Sequence, residues 1–288
     1  MKKPRSAGFF RFWQGLFYGV AMTELDQYIV NAFVDGPFSG NPAAVVPLES
    51  WLPDETMQSI AMQNNLSETA FLTAGDEPRI RWFTPTTEID LCGHATLASA
   101  HVLFDELGDA RDEVVFDSAS GFLSVARGGS GPELDFPAGI PVSVPDGDAE
   151  FRSVAACVNA PANKVLFFGE WRILVTSAAS DVEGLLIKLD RVAALEGNGL
   201  IVTAPGDDDF DVCSRVFAPS VGIEEDPVTG SAHCVLAPYW SERLGVSSLV
   251  CRQASPRGGR LDVAYDSGSG RVKLAGACTT FARARIEF

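Results

Sequence analysis

Residues of the metal-binding kind are scarce in this chain. Histidine occurs only three times in 288 residues, at His94, His101 and His233, with no HxH, HExxH or clustered Cys–His pattern. The common zinc signatures need several such ligands at short fixed spacing, so the sequence predicts no metal site. The six cysteines (Cys92, Cys157, Cys213, Cys234, Cys251 and Cys278) include no CxxC pair. Scattered in this way, they predict buried thiols in a reducing cytoplasm and not a disulfide framework. Positive charge is thin as well: 22 Lys and Arg stand against 38 Asp and Glu, a formal net charge of −16. A nucleic-acid groove needs clustered basic side chains to neutralise phosphates, so nucleic acid is excluded as a partner. No apolar run is long enough to span a bilayer, and no membrane partner is expected.

An acidic balance does not exclude an anionic ligand, because the N–H groups of a helix N-terminus bind carboxylates without any basic side chain. The chain has two segments suited to this. Leu91-Cys92-Gly93-His94-Ala95-Thr96 opens a run without charge over 94–104, and Asp226-Pro227-Val228-Thr229-Gly230-Ser231-Ala232-His233 opens another helical run over 231–244 that lacks charge until Glu242. Helices without a polar face belong in a core. Small residues at both starts let a ligand approach the backbone closely, which makes Gly93, Gly230, Ser231 and Ala232 the candidate substrate-binding positions.

The remainder reads as strands with few helices. Alternating β-branched segments predict strands at 27–34, 43–46, 69–73, 80–83, 114–116, 122–126 and 134–136. Pro53, Asp54 and Glu55 open a helix that Asn64-Asn65 closes. A Pro- and Gly-bearing stretch at 137–147 reads as a crossover between halves. Beyond it, strands are predicted at 164–168, 171–176, 200–204, 212–217, 250–253, 261–265, 272–274 and 281–286, with helical signal over 182–195. Gly93-His94-Ala95 and Gly230-Ser231-Ala232 lie about half the chain apart, a hint of duplicated architecture. The predicted fold class is mixed α/β (α+β): two pseudo-symmetric β-roll or barrel halves, 22–137 and 138–274, each wrapped around a central buried helix. Residues 1–21 stand apart, with four basic charges and six aromatics. They read as a leader, an interfacial anchor or an upstream extension of the reading frame, with no fixed structure expected; the last reading is preferred, Met22 then opening the domain.

Glu68, between the Asn64-Asn65 stop and a strand, is the carboxylate best placed for chemistry: partial burial there suits general acid–base work. The plainer alternative is an exposed loop glutamate. His94 follows a glycine at a helix start, where it can donate to a substrate oxygen or exchange a proton with Glu68, or be a satisfied core histidine. His101 and His233 read as structural, the second lying near the cleft. Asp226 ends an acidic run that is either a solvated face or, fixed by Pro227, an acceptor for a substrate hydroxyl or amine, or for His94. Ser231 offers a hydroxyl and an N–H, and can serve as an N-cap at the same time. Cys92 reads as packing. Thiol epimerases need two opposed cysteines, and the position matching Cys92 in the second half is Thr229.

Several strings occur in an order that resembles the phenazine-biosynthesis family typified by PhzF, whose fold resembles diaminopimelate epimerase. They are Val30-Asn31-Ala32-Phe33, Phe38-Ser39-Gly40-Asn41-Pro42-Ala43, Asn65-Leu66-Ser67-Glu68-Thr69-Ala70-Phe71, Arg81-Trp82-Phe83-Thr84-Pro85, Cys92-Gly93-His94-Ala95-Thr96-Leu97-Ala98 and Glu225-Asp226-Pro227-Val228-Thr229-Gly230-Ser231-Ala232-His233. The resemblance covers Met22 to the C-terminus. It implies an active site between the halves, a glutamate proton shuttle at Glu68, polar partners at His94, Asp226 and Ser231, no metal or organic cofactor, and a homodimer. It also implies that the strand at about 275–288 returns to the first half. The expected function is a cofactor-independent isomerase of a small carboxylate. A two-thiol amino-acid epimerase or racemase and a non-catalytic small-molecule-binding relative are the alternatives.

Overall fold

The computed structural model describes residues 23–73, 75–207 and 209–288. The expectations for residues 1–21 lie outside them. In the first half, strand Glu24–Ala32 lies between Asn41–Leu48 and Cys278–Glu287, antiparallel to both. Helix Asp54–Asn64 crosses over so that Glu68–Thr73 pairs parallel with Asn41–Leu48. Strand Arg79–Phe83 and the hairpins of Glu113–Ser118, Gly121–Arg127 and Pro132–Pro137 continue the sheet. These strands curl around helix Gly93–His101, in which every residue after Gly93 is buried. Its small and apolar residues all round leave no face for water, so the sheet must enclose it. The helix runs on into a π-helical turn, Val102–Glu106.

The second half repeats the plan around helix Gly230–Leu244. Its strands include Lys164–Phe168, Trp171–Val175, Gly199–Pro205, Val212–Ala218, Ser248–Gln253, Gly259–Asp266 and Arg271–Ala275, with parallel pairings between the second and third and between the fourth and fifth. The halves are joined: Arg271–Ala275 pairs antiparallel with Pro132–Pro137, and all described strands form one hydrogen-bonded network. Both central helices feed a single apolar core containing Leu97, Leu103, Leu236 and Trp240. The last strand, Cys278–Glu287, runs the length of Glu24–Ala32. It is tied to the end of the first central helix by Thr280, whose hydroxyl donates to Glu106 (2.7 Å) and lies 3.0 Å from His101 Nε2.

Three predicted elements differ. The helical signal over 182–195 divides into Ala179–Glu183 and Leu189–Ala193, with Gly184 ending the first. The crossover contains a short strand, Val142–Val144, which pairs with Lys164–Phe168. The acidic run at 224–226 is part of strand Ile223–Asp226, antiparallel to Val212–Ala218, and Glu225 is paired with Arg215 at 2.7 Å. Among the described residues, no helix is long and apolar enough to cross a membrane.

Pro238 lies inside the second central helix. Having no N–H, it leaves the carbonyl of Cys234 without its helical donor. The backbone N–H of Gly139, in the crossover, supplies one at 3.1 Å. The crossover is thereby pinned against the helix one turn below its N-terminus.

Candidate active site

The N-termini of the two central helices open into a cleft of about 420 Å³ lined from both halves. Glu68, Gly93, His94, Asp226, Gly230 and Ser231 all line it, as the sequence predicts. Ala232 does not: it is fully buried in the core, one position past the exposed Ser231. Neither helix is capped by its own N-cap side chain, Cys92 or Thr229. The first-turn amides therefore face the cleft without a side-chain acceptor from the cap, an arrangement suited to an anion. Added Cβ atoms at Gly93 and Gly230 would meet only ordinary contacts, the nearest at 3.7 and 3.4 Å. The surrounding protein thus does not require glycine at either position.

Glu68 owes its position to local structure. Asn65 takes a left-handed conformation (φ 50°) that ends helix Asp54–Asn64, and after two intervening residues the chain enters strand Glu68–Thr73 in parallel register with Asn41–Leu48. Glu68 is 7% exposed, so it is more deeply buried than a residue at a strand mouth need be. Its Oε2 lies 3.1 Å from His94 Nε2, yet neither atom has a hydrogen-bond partner. Buried polar atoms without partners are rare and mark places where a proton or ligand completes the set. Burial disfavours a charged His94, but the neighbouring Cys92 and Glu68 outweigh it and raise the imidazole well above its usual range.

Asp226 is fixed by three side chains from different elements. Oδ1 accepts from the fully buried Asn41 at 2.9 Å, and Oδ2 accepts from the Thr229 hydroxyl. Gln253 donates to the Asp226 carbonyl (2.7 Å) and accepts from the Thr229 N–H (2.8 Å). Asn41 also donates to the carbonyl of Val228, binding the first half to the loop that carries Asp226. Burial raises the Asp226 carboxyl to about 6; Glu68 adds to the rise, while His94, Thr229 and Asn41 oppose it. His94 and Asp226 share no hydrogen bond, so that expected contact is replaced by Asn41 and Thr229. Sequence reasoning passed over both Asn41 and Gln253. Asn41 could have been found from its place at a strand start in Gly40-Asn41-Pro42, whereas nothing local marks Gln253.

Cys92 is a correction. It is buried as packing would require, but it lines the cleft with Sγ 3.5 Å from His94 Nδ1. Burial, followed by the Glu68 charge, pushes its thiol upward from the usual range, with His94 opposing the rise. The absence of a Cys–His cluster is corrected too: Glu68, Cys92 and His94 offer potential ligand atoms all within 4.8 Å of one another. The two ring nitrogens of His94 face different partners, Nδ1 toward Cys92 and Nε2 toward Glu68. The ring therefore lies between the other two groups, and one ion could not meet all three without turning it. His233 points away from the cleft, its ring between the Thr229 carbonyl (2.8 Å) and Ser214 (3.3 Å), and burial lowers it to about 4.

A cleft between two helix-centred β-rolls is the architecture of the epimerase-like folds. A hydroxyproline epimerase from Agrobacterium vitis shares it at 10% identity and a TM-score of 0.53, over 92% of this chain and 93% of that one. The chain belongs to the phenazine biosynthesis-like (PhzC-PhzF) protein family, whose model matches residues 30–284. A PhzF-family crystal structure from Enterococcus faecalis matches with a TM-score of 0.86 and 41% identity, covering 92% of this chain and 99% of that one. An uncharacterized isomerase of Pseudomonas aeruginosa is 45% identical over 90% of this chain and 97% of its own length. The human phenazine biosynthesis-like domain-containing protein is 36% identical, over 88% and 96%.

Proposed function

We propose that the protein is an isomerase that takes a proton from one carbon of a small carboxylate and returns it to another, with Glu68 as base and then acid. The observation that carries this reading is the buried contact between Glu68 Oε2 and His94 Nε2, 3.1 Å apart in the cleft and without any other partner. A carboxylate removed from water, with the His94 imidazole beside it, is poised to take up and release a proton. The substrate carboxylate binds the amides at Gly93-His94 and Gly230-Ser231, where the helix dipoles favour negative charge. His94 orients it, and Ser231 adds a hydroxyl. One acid–base group suffices for such a shift, so the reaction needs no cofactor. The isomerase names of relatives at 45% and 43% identity support the same reaction class.

Candidate carboxylates incubated with the enzyme in D2O report the reaction by deuterium entering carbon, read by mass spectrometry. Glu68→Gln should slow exchange by about 10²–10⁴-fold; full exchange by this variant overturns the role of Glu68. One observation favours a second reading, a thiol epimerase: Cys92 lines the cleft with Sγ 3.5 Å from His94 Nδ1, although its counterpart on the second central helix is Thr229 and not a second cysteine. The raised Cys92 thiol opposes it. Cys92→Ser should keep exchange within about tenfold of the native rate, whereas loss comparable to that of Glu68→Gln would move the chemistry to sulfur.

A further inference from the structure

Two buried side chains that the proposed reaction does not use occupy matching places in the two halves. Thr96 and His233 each stand four residues after the N-cap residue of their central helix, and both are fully buried. The Thr96 hydroxyl donates to the Cys92 carbonyl at 2.6 Å, and His233 Nδ1 lies 2.8 Å from the Thr229 carbonyl. A carbonyl can only accept, so Nδ1 carries a proton, while Nε2 faces the Ser214 hydroxyl (3.3 Å). A hydroxyl in one half and an imidazole in the other thus deliver a donor to the same carbonyl.

These bonds hold the peptide group that leads into each helix. No peptide among the described residues is cis, so the Gly93 N–H points opposite to the Cys92 carbonyl, and the Gly230 N–H opposite to the Thr229 carbonyl. A donor that draws the carbonyl inward therefore aims the glycine N–H outward, into the cleft that both glycines line. It also polarises the peptide, which makes the N–H on its far side a stronger donor. Glycine leaves such a peptide plane free to rotate, and the buried donor removes that freedom. Ordinary helix stabilisation does not account for the repeat. Ser99 makes the same kind of bond to the Ala95 carbonyl (2.8 Å) one turn deeper, where the following amide, that of Thr96, is already bonded to Cys92. The position matching Ser99 in the second helix is Leu236, so the bond is duplicated at the cleft and not below it. We propose that Thr96 and His233 are a pair of positioning residues that aim and strengthen the Gly93 and Gly230 amides toward an anion in the cleft. The proposal rests on the anion-binding part of the function above, but not on the role of Glu68.

The test is an NMR titration of the purified full chain with sodium acetate, following the amide signals of Gly93 and Gly230. Acetate should move both signals in the native protein. Thr96→Val keeps the shape without the hydroxyl and should weaken acetate about three- to tenfold. Ser99→Ala removes the deeper bond and should leave the affinity within about twofold. In the second half, His233→Thr and His233→Val leave the same space behind. The threonine supplies the hydroxyl used in the first half, so His233→Thr should bind acetate at least about threefold more tightly than His233→Val. A loss of packing alone would weaken these two variants alike. Thr96→Val and Ser99→Ala change little in shape and carry the test if thermal melts show the His233 variants unfolded. Equal acetate affinity in the native protein and Thr96→Val, or in His233→Thr and His233→Val, overturns the proposal. No response at either glycine overturns it together with the anion site. Because binding is read without turnover, the deuterium exchange of Glu68→Gln tests the proton shuttle separately.

Discussion

Asp226 occupies a position where its charge costs stability, and replacing it should make the protein sturdier while harming its function. Its carboxyl is raised from an ordinary 3.8 to about 6, chiefly by burial. The native state therefore binds the proton more tightly than the unfolded chain, which is the reverse of a salt-bridged aspartate. Stability from this group is full below the unfolded value and falls as pH rises from about 4 to about 6. At about 1.4 kcal/mol per unit, a shift of this size amounts to about 3 kcal/mol above pH 7. Asp226→Asn removes that penalty and fits the existing bonds. Its carbonyl can still accept from Asn41, and the Thr229 hydroxyl can turn to accept from the new amide. The weaker neutral bonds return about 1 kcal/mol of the gain. Urea denaturation of both proteins from pH 4 to pH 8 should therefore give a stability difference near zero or slightly negative at pH 4, rising to about 2 kcal/mol in favour of the variant by pH 7 and then level. The raised His94 adds a loss of stability toward high pH in both proteins and largely cancels in the difference. A difference that is flat with pH, or that falls as pH rises, refutes the assignment of Asp226 as a strained carboxylate.

Asn41→Ala deprives the Asp226 carboxylate and the Val228 carbonyl of a fully buried donor. It should cost about 2–4 kcal/mol in chemical denaturation, and a loss below about 1 kcal/mol would show that the bridge between the halves is dispensable. Thr280→Val unties the last strand from His101 and Glu106. It should cost about 1–2 kcal/mol and speed amide exchange along Cys278–Glu287 more than along Ser248–Gln253, with uniform exchange counting against a local tie.

Both central helices were legible because each lacks a polar face over more than two turns, a pattern that survives any tertiary context. Glu68 was legible from its neighbours, since Asn65 stops a helix and leaves only two residues before the strand begins. The partners of Asp226 were not, because Asn41 and Gln253 reach it from strands 185 and 27 positions away, counted from the hydrogen bonds they make. Single-sequence pattern carries local periodicity, whereas a buried polar network is a property of which strands become neighbours. Cys92 is packed into the core as its sequence context suggests, and its further place on the cleft wall was not legible because a small thiol beside a helix start looks the same whether it faces core or cleft. The helical signal over 182–195 failed at Gly184, where composition alone does not separate one helix from two short ones.

The two halves supply matching backbones and unmatched side chains. Each central helix begins after an extended residue, Cys92 or Thr229, whose side chain is turned to another partner, so each leaves its first amides open. Two converging positive helix ends draw in one anion, but the cleft already holds Glu68 and Asp226 beside a single imidazole. An incoming carboxylate adds a third negative group at close range, and with no lysine or arginine lining the cleft among the described residues the cheapest compensation is a proton. Asp226, raised to about 6 chiefly by burial, is suited to accept one. Its bonds to Asn41 and Thr229 hold it in place as its charge changes. On the function proposed above, ligand binding and proton uptake would then be linked in the second half, leaving Glu68 in the first half available to move protons on the substrate itself.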